Sequence, residues 1–384
     1  MENKRLIYLD NAATSFPKPD VVIDKTSDFL LNHAGNAGRG SHRLALDAAE
    51  HVYDCRERLS DMFDADGAER VCFCSGATEA LNTAIKGLTR DGDHVLISDI
   101  EHNAVLRPVY KLRASGKIEY DIFPSFVNEY KRSPSKICAA IAKKMRRNTR
   151  MLVCTGASNI CSATMPLEEI GEFCRKNGLI FVVDGAQRAG HYPISMKSMK
   201  IDALCIPGHK GLLGPQGCGA TLFAKGVEPQ TLIEGGNGIS SLESEMLGDL
   251  PERLEAGTLP IPAIAGLAEG VRTVNELGID NIVNHERALF SICREGLQKI
   301  NGVRVYCPCH EGPVLMFTVK GHRSEDVTAE LSDMGICVRG GFHCCALGHK
   351  TLGTGGDGAV RVSFGVFNSS DDVCSLIDAV KRII

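Results

Sequence analysis

No apolar stretch in this chain of 384 residues reaches the roughly 18–20 residues that a membrane-spanning helix needs. The opening segment, MENKRLIYLDNAATSFP, has no apolar signal core and carries acidic residues early, so a cytoplasmic protein is expected. Charge of one sign is missing too: the formal net charge is −4, with no long acidic or basic run. That leaves no track for nucleic acid and no face for an anionic membrane. Internal repeats, low-complexity tracts and Pro/Ser-rich linkers are also absent, which excludes repeat arrays and tethered modules.

Cysteine, by contrast, is plentiful, with 16 residues. A secreted disulfide scaffold would be small and loop-rich, and this chain is neither. Cys72, Cys74, Cys154 and Cys205 lie in apolar, strand-like runs, where a thiol behaves as a small hydrophobe. The CPCH segment at 307–310 looks like half of a metal site but has no second half, so no metal is expected. Cys161 in SNICSA is assigned no catalytic role.

Hydrophobic residues make up 43% of the chain, and its length exceeds what one compact core usually holds. Short apolar runs at 70–74, 94–98, 119–123, 151–155, 179–183, 202–206 and 219–223 read as strands. Amphipathic stretches at 78–89, 102–114, 134–147 and 167–177 read as helices between them. That alternation predicts an α/β domain with a mainly parallel sheet and helices on both faces. After about residue 260 the pattern changes to a helical stretch at 261–299, with 261–277 as a connector. Strands near 303–306, 313–319, 336–339 and 359–364 follow, with helices near 324–334 and 370–383, as in a separate α+β unit.

Five segments carry chemistry. In LIFVVDGAQRAGH a strand delivers Asp184 at its carboxyl end, where ligands of open α/β sheets sit. A carboxylate there can keep a proton on a heteroaromatic nitrogen, as pyridoxal phosphate requires, or it can simply cap a helix. In DALCIPGHKGLLG a strand runs into a glycine-rich loop around Lys210, where lost solvation would free the amine for attack on an aldehyde. In FCSGATEALN a turn opens a helix at Ala77 and Thr78, a phosphate cup or an ordinary cap. His102 in EHNA follows a strand end and could stack on a flat ring or be structural. In VRGGFHCCALG a strand ending at Arg339 meets a loop with His343, Cys344 and Cys345, and Arg361 follows on the next strand. Arginine suits a carboxylate, and a cysteine beside His and Arg can become a nucleophile.

In this order, NAGRGSH, SGATEALN, EHNA, SNICSA, VDGAQ, GHK, RLEAGT and R-x-G-x-H-C resemble the group II cysteine desulfurases and selenocysteine lyases. These are class-V aminotransferase-like, fold-type I pyridoxal-phosphate enzymes, and the resemblance runs from YLDNAATSFP to RVSFGVFNS. It implies a large cofactor-binding domain over 15–260, and a small α+β domain from 1–14 and 261–384 that carries the cysteine loop. It implies that Lys210 holds pyridoxal 5'-phosphate covalently, Asp184 pairs with the ring nitrogen, Gln187 bonds the ring hydroxyl and His102 stacks on the ring. Ala77, Thr78 and His209 would hold the phosphate, with Thr258 reaching across from a second subunit of a homodimer. Asn159 and Arg361 would bind the substrate carboxylate, Arg339 would sit beside the sulfur, and Cys344 would take it.

The implied substrate is L-cysteine or L-selenocysteine, and the implied acceptor is a protein or a small thiol. Two departures stand out. Pro207 replaces the family's serine ahead of GHK, which removes one phosphate hydroxyl. Cys345 replaces the alanine after the catalytic cysteine, which sets two thiols side by side. A selenocysteine lyase would share nearly the whole site. A class-V aminotransferase would share Lys210 and Asp184 without needing Cys344, and a non-catalytic sulfur carrier would not need Lys210.

Overall fold

A computed structural model describes residues 6–38, 40–130, 132–238, 242–246, 248–307, 309 and 312–384. Arg39 of NAGRGSH, and Pro308 and His310 of CPCH, lie outside them, as do residues 1–5 of the N-terminal segment. The chain opens with β1 (Ile7–Tyr8), α1 (Asp20–Asn32) and α2 (Arg43–Met62). It continues through β2 (Val71–Cys74), α3 (Ala77–Leu88), β3 (Asp93–Ser98), α4 (Asn103–Ala114), β4 (Ile118–Phe123) and α5 (Pro134–Lys144). Next come β5 (Thr149–Thr155), α6 (Leu167–Asn177), β6 (Ile180–Asp184), β7 (Ala203–Pro207) and β8 (Gly219–Phe223). The remainder is α7 (Ile261–Leu277), α8 (Ile279–Gln298), β9 (Val303–Tyr306), β10 (Val314–Val319) and α9 (Ser324–Asp333), then β11 (Ile336–Cys337), α10 (Ala346–Leu352), β12 (Val360–Ser363) and α11 (Ser370–Ile383).

Seven strands form one sheet in the order β2-β8-β7-β6-β5-β3-β4. Only β8 runs against its neighbours, so β2 and the five others share one direction. Side chains alternate across this sheet with the period of two that strands impose. Leu152 and Cys154 face one core, with Phe181 and Val183. Met151 and Val153 face the other, with Val182. Helices α5, α6 and α7 cover the first face through Ile137, Ile170 and Ile264. Helices α3 and α4 cover the second through Leu81, Ile85 and Val105. Both faces are therefore dry, which is why these strands read as continuous apolar runs. Truncating one fully buried ring here, as in Phe181→Ala, should cost about 3–5 kcal/mol.

The expected stretch 261–299 is two helices, because Gly278 at φ 80° ends α7 and starts α8. Beyond them, β12-β10-β9 form a second, antiparallel sheet that shares a core with α8, α9 and α11. The N-terminal β1 pairs in parallel with β11, and Leu9 joins that same core. The strand expected to end at Arg339 stops at Cys337, and Arg339 makes only an isolated bridge to Arg361. No helix among the described residues is long and apolar enough to cross a membrane.

Candidate active site

Five co-directional strands end at one edge of the large sheet, and each hands residues to the same cavity of about 220 Å³. After β2 come Ala77 and Thr78, at the first turn of α3, whose free N–H groups and dipole favour an anion. After β3 comes His102, the N-cap of α4. β5 leads to Asn159, β6 to Asp184 and Gln187, and β7 to His209 and Lys210. Eight residues expected at the cofactor thus converge from segments up to 133 positions apart (Lys210 minus Ala77). Pro207 closes β7 and lines the cavity without a hydroxyl.

The electrostatics suit a reactive amine. Burial brings Lys210 down to about 8, against the opposing pull of Asp184, and the Arg361 and Arg339 charges push the same way. Burial raises Asp184 in turn, although its Oδ1 accepts the Ala186 N–H at 2.9 Å and Lys210 stands near. His102 is lowered to about 4, first by burial and then by Lys210 and nearby arginines. Its Nδ1 accepts the Ala104 N–H at 3.0 Å, which requires an unprotonated Nδ1 and hence a neutral, flat ring. His209 is also lowered to about 4, by burial first.

Two polar atoms around the cavity are buried with no hydrogen-bond partner among the described residues: Gln187 Oε1 and His209 Nδ1. Gln187 is held from its other end, where Nε2 donates to the Ala12 carbonyl at 2.9 Å. Orphaned buried groups are costly, and both of these belong to residues that line the cavity. Together with Asp184 and Lys210, this donor set fits pyridoxal phosphate. The N-terminal segment braces the lysine loop: the His209 carbonyl accepts from Ser15 N–H at 3.0 Å, the Thr14 hydroxyl at 3.0 Å and Lys18 Nζ at 2.8 Å.

Glu101 was not singled out from sequence, although it opens EHNA. It is buried, and burial raises it to about 8, with the Asp184 charge adding to the rise. It accepts from the Ser98 hydroxyl and from the Thr155 N–H at 2.8 Å. Its legible signal is an acid placed just past an apolar strand.

Cys344 is exposed and opens on a second cavity that shares Thr78, His102 and Ala104 with the first. Two of the bonds that hold its loop reach across to the cavity side: the Cys344 carbonyl accepts the Asn103 N–H at 2.7 Å, and Asn159 Nδ2 donates to the His343 carbonyl at 2.8 Å. His343 and Cys344 both sit in the left-handed region, at φ 51° and 54°, which non-glycine residues rarely adopt. Arg339 Nη2 lies 4.0 Å from the Cys344 sulfur. The His343 ring makes no bond to that sulfur. It turns inward to the Arg339 carbonyl at 3.0 Å and to His349 at 3.1 Å. Cys345 points the opposite way, into the core, with its thiol toward the Ile100 and Glu101 carbonyls at 3.5 Å, and burial pushes it well above the usual thiol range.

Other expected residues lie further out. Arg361 is buried outside the cavity lining, paired with Asp10 at 2.6 Å and donating to the Asn159 carbonyl at 3.3 Å. Its Nε is buried without a hydrogen-bond partner among the described residues. Asp10 was not foreseen as its partner. Thr258 is exposed and does not line the cavity of its own chain. Its loop is anchored by Glu255, which accepts the Phe73 N–H at 2.6 Å and pairs with Arg56 at 2.6 Å. Cys161 is buried and does not line the cavity, and its thiol meets that of Cys307.

The profile of the Aminotransferase class-V family matches residues 7–376. A probable cysteine desulfurase of Pyrococcus abyssi is 32% identical, over 99% of this chain and 95% of its own length. The chain belongs to the cysteine desulfurases of the class-V aminotransferase family. A cysteine desulfurase of Yersinia pseudotuberculosis is 30% identical, over 98% of this chain and 93% of its own. Among solved structures, an apo cysteine desulfurase from Thermococcus onnurineus superposes with a TM-score of 0.90 at 30% identity, over 99% of this chain and 94% of that one. A cysteine desulfurase from Escherichia coli gives 0.86 at 25% identity, over 98% and 94%. The fold-type I architecture expected from sequence is the one the family has.

Proposed function

We propose that this chain removes the sulfur of L-cysteine, leaving L-alanine and a persulfide on Cys344 that passes to an acceptor thiol. The observation that carries the reading is the exposed Cys344 sulfur on a cavity that shares His102 and Thr78 with the Lys210 pocket. An aminotransferase would have no use for that thiol.

Ala77, Thr78 and His209 would hold the phosphate of pyridoxal phosphate, Asp184 would keep the proton on its ring nitrogen, Gln187 would serve its hydroxyl, and His102 would pack against the ring. When bound, that cofactor supplies a sink for the electron pair left when a Cα proton departs. Lys210, lowered to about 8, has a neutral fraction near neutral pH and serves as the base that takes this proton. The unpartnered Nε edge of Arg361 and the Asn159 amide orient the substrate carboxylate. The Cys344 thiolate attacks the substrate sulfur, the carbon–sulfur bond breaks with its electron pair going to carbon, and protonation gives alanine. Arg339 places positive charge beside the sulfur during that exchange.

Thr258 is exposed and outside the cavity lining of its own chain; in line with the family resemblance, the proposed active form is a homodimer in which each Thr258 completes the partner's phosphate site. The test is to incubate the cofactor-loaded protein with L-cysteine and, separately, L-selenocysteine, and to quantify alanine and bound sulfur. Alanine formed without any keto acid, with one extra sulfur per chain, supports the reading. Alanine formation that depends on a keto acid would instead identify an aminotransferase.

A further inference from the structure

Well apart from the cavity residues in sequence, the end of α1 and the first half of α2 bring two histidines and a carboxylate together. The ligand atoms of His33, Asp47 and His51 all lie within 4.8 Å of one another, a cluster found nowhere else among the described residues. Asp47 and His51 are four residues apart on α2 and so share one face, while His33 caps the end of α1. His33 Nδ1 stands 2.5 Å from Asp47 Oδ2. Its other ring nitrogen, Nε2, faces Asp28 Oδ2 at 3.5 Å. A metal-bound imidazole is typically held in this way, with its far nitrogen on a carboxylate that fixes tautomer and ring orientation.

The third ligand is idle. His51 Nε2 is buried and has no hydrogen-bond partner. Leaving a buried ring nitrogen unpaired is unfavourable, and an arriving cation removes that penalty. The rings are already oriented: Phe29 stacks on His33 at 6.1 Å and meets His51 edge-on at 5.5 Å, and the two imidazoles are 5.4 Å apart. His33 and Asp47 retain 30% and 31% exposure, so an ion has a way in.

We propose that His33, Asp47 and His51 form a binding site for a divalent transition-metal ion of the zinc class, which ties α1 to α2. Two imidazoles and one carboxylate are a donor set for such ions, with water completing the shell. Bound through Nδ1, the neutral His33 ring carries its single N–H on Nε2, toward Asp28. Lys25 opposes it, since its charge is felt at both Asp47 and His51. Asp28 and Asp47 together outweigh that single cation.

The experiment uses the cofactor-loaded protein, stripped with a chelator and then titrated with Zn²⁺ or Co²⁺. The expected result is one ion per chain on nitrogen and oxygen ligands, seen as a Co²⁺ visible spectrum without intense sulfur-to-metal bands. His51→Gln should weaken Zn²⁺ binding by at least about tenfold. Lys25→Ala should tighten it, and neither change should reduce alanine formation, which reports the fold. If His51→Gln does not fold, Asp47→Asn provides the same comparison. Zn²⁺ affinity unchanged in His51→Gln or Asp47→Asn, or a Co²⁺ spectrum dominated by thiolate bands, overturns the proposal.

Discussion

Two regions meet at His102, and they are built on opposite principles. The Lys210 side is made of strand ends and helix starts, its groups are shifted by burial, and its unpaired polar atoms are held ready by bonds made elsewhere. The Cys344 side is a loop with two successive left-handed residues and an exposed sulfur, tied to the Lys210 side by two hydrogen bonds. Proton transfer at a cofactor needs fixed, desolvated groups. A sulfur that must be taken up and then given away needs a thiol another molecule can reach. Strain at the loop is a reasonable cost where the side chain must be aimed outward.

The sharpest way to break this contrast is to remove one member of each region. Lys210→Ala should lower alanine formation by roughly 10²–10⁴-fold or more, the usual worth of a positioned base, and should abolish covalent cofactor attachment. A variant that still forms alanine at a substantial rate would move the base elsewhere. Cys344→Ser should reduce desulfuration of L-cysteine to background while the visible absorption of the bound cofactor persists, because the Lys210 side is untouched. Loss of both signals would mean the two regions are not separable.

A pH titration sharpens the same point. Lys210 sits at about 8 in the folded chain against an ordinary 10.5. The unfolded state therefore binds more protons between these values, and stability of the cofactor-free protein should rise as pH climbs from about 8 to 10.5. Lys210→Met should flatten that rise and raise the apo melting temperature at neutral pH, measured by calorimetry. The smallest effect belongs to Cys345→Ala. It deletes one buried sulfur, so it should cost about 1 kcal/mol of stability in denaturant melts and leave turnover nearly unchanged.

The sequence made the parallel strands and four of the five cavity segments legible, because dry strands are continuously apolar and the chemistry follows each one, whereas Asn159 entered only through the family resemblance. It was less informative where contacts are remote or faces are mixed. Arg361 and Asp10 pair across 351 positions, and no local pattern announces that. Helix α1 buries only Val22 and Phe29 while exposing Ile23, Leu30 and Leu31, which blurs its period. Helix α2 does repeat at Ala45, Ala48, Val52, Cys55 and Leu59, but with small residues that give a faint signal. The His343 ring turns inward to His349, six positions on in α10, rather than toward the Cys344 sulfur, and no local pattern announces that choice. Neither left-handed residue could be foreseen, since the adjacent Gly340 and Gly341 carry the turn signal that sequence reading follows.

The central claim is that, of two adjacent thiols, the exposed one takes the sulfur and the buried one is core. The most direct measurement is peptide mass spectrometry after brief incubation with L-cysteine, with the persulfide trapped by an alkylating agent. The account predicts one added sulfur on Cys344 and none on Cys345. Sulfur on Cys345, together with turnover that survives Cys344→Ser, would contradict it.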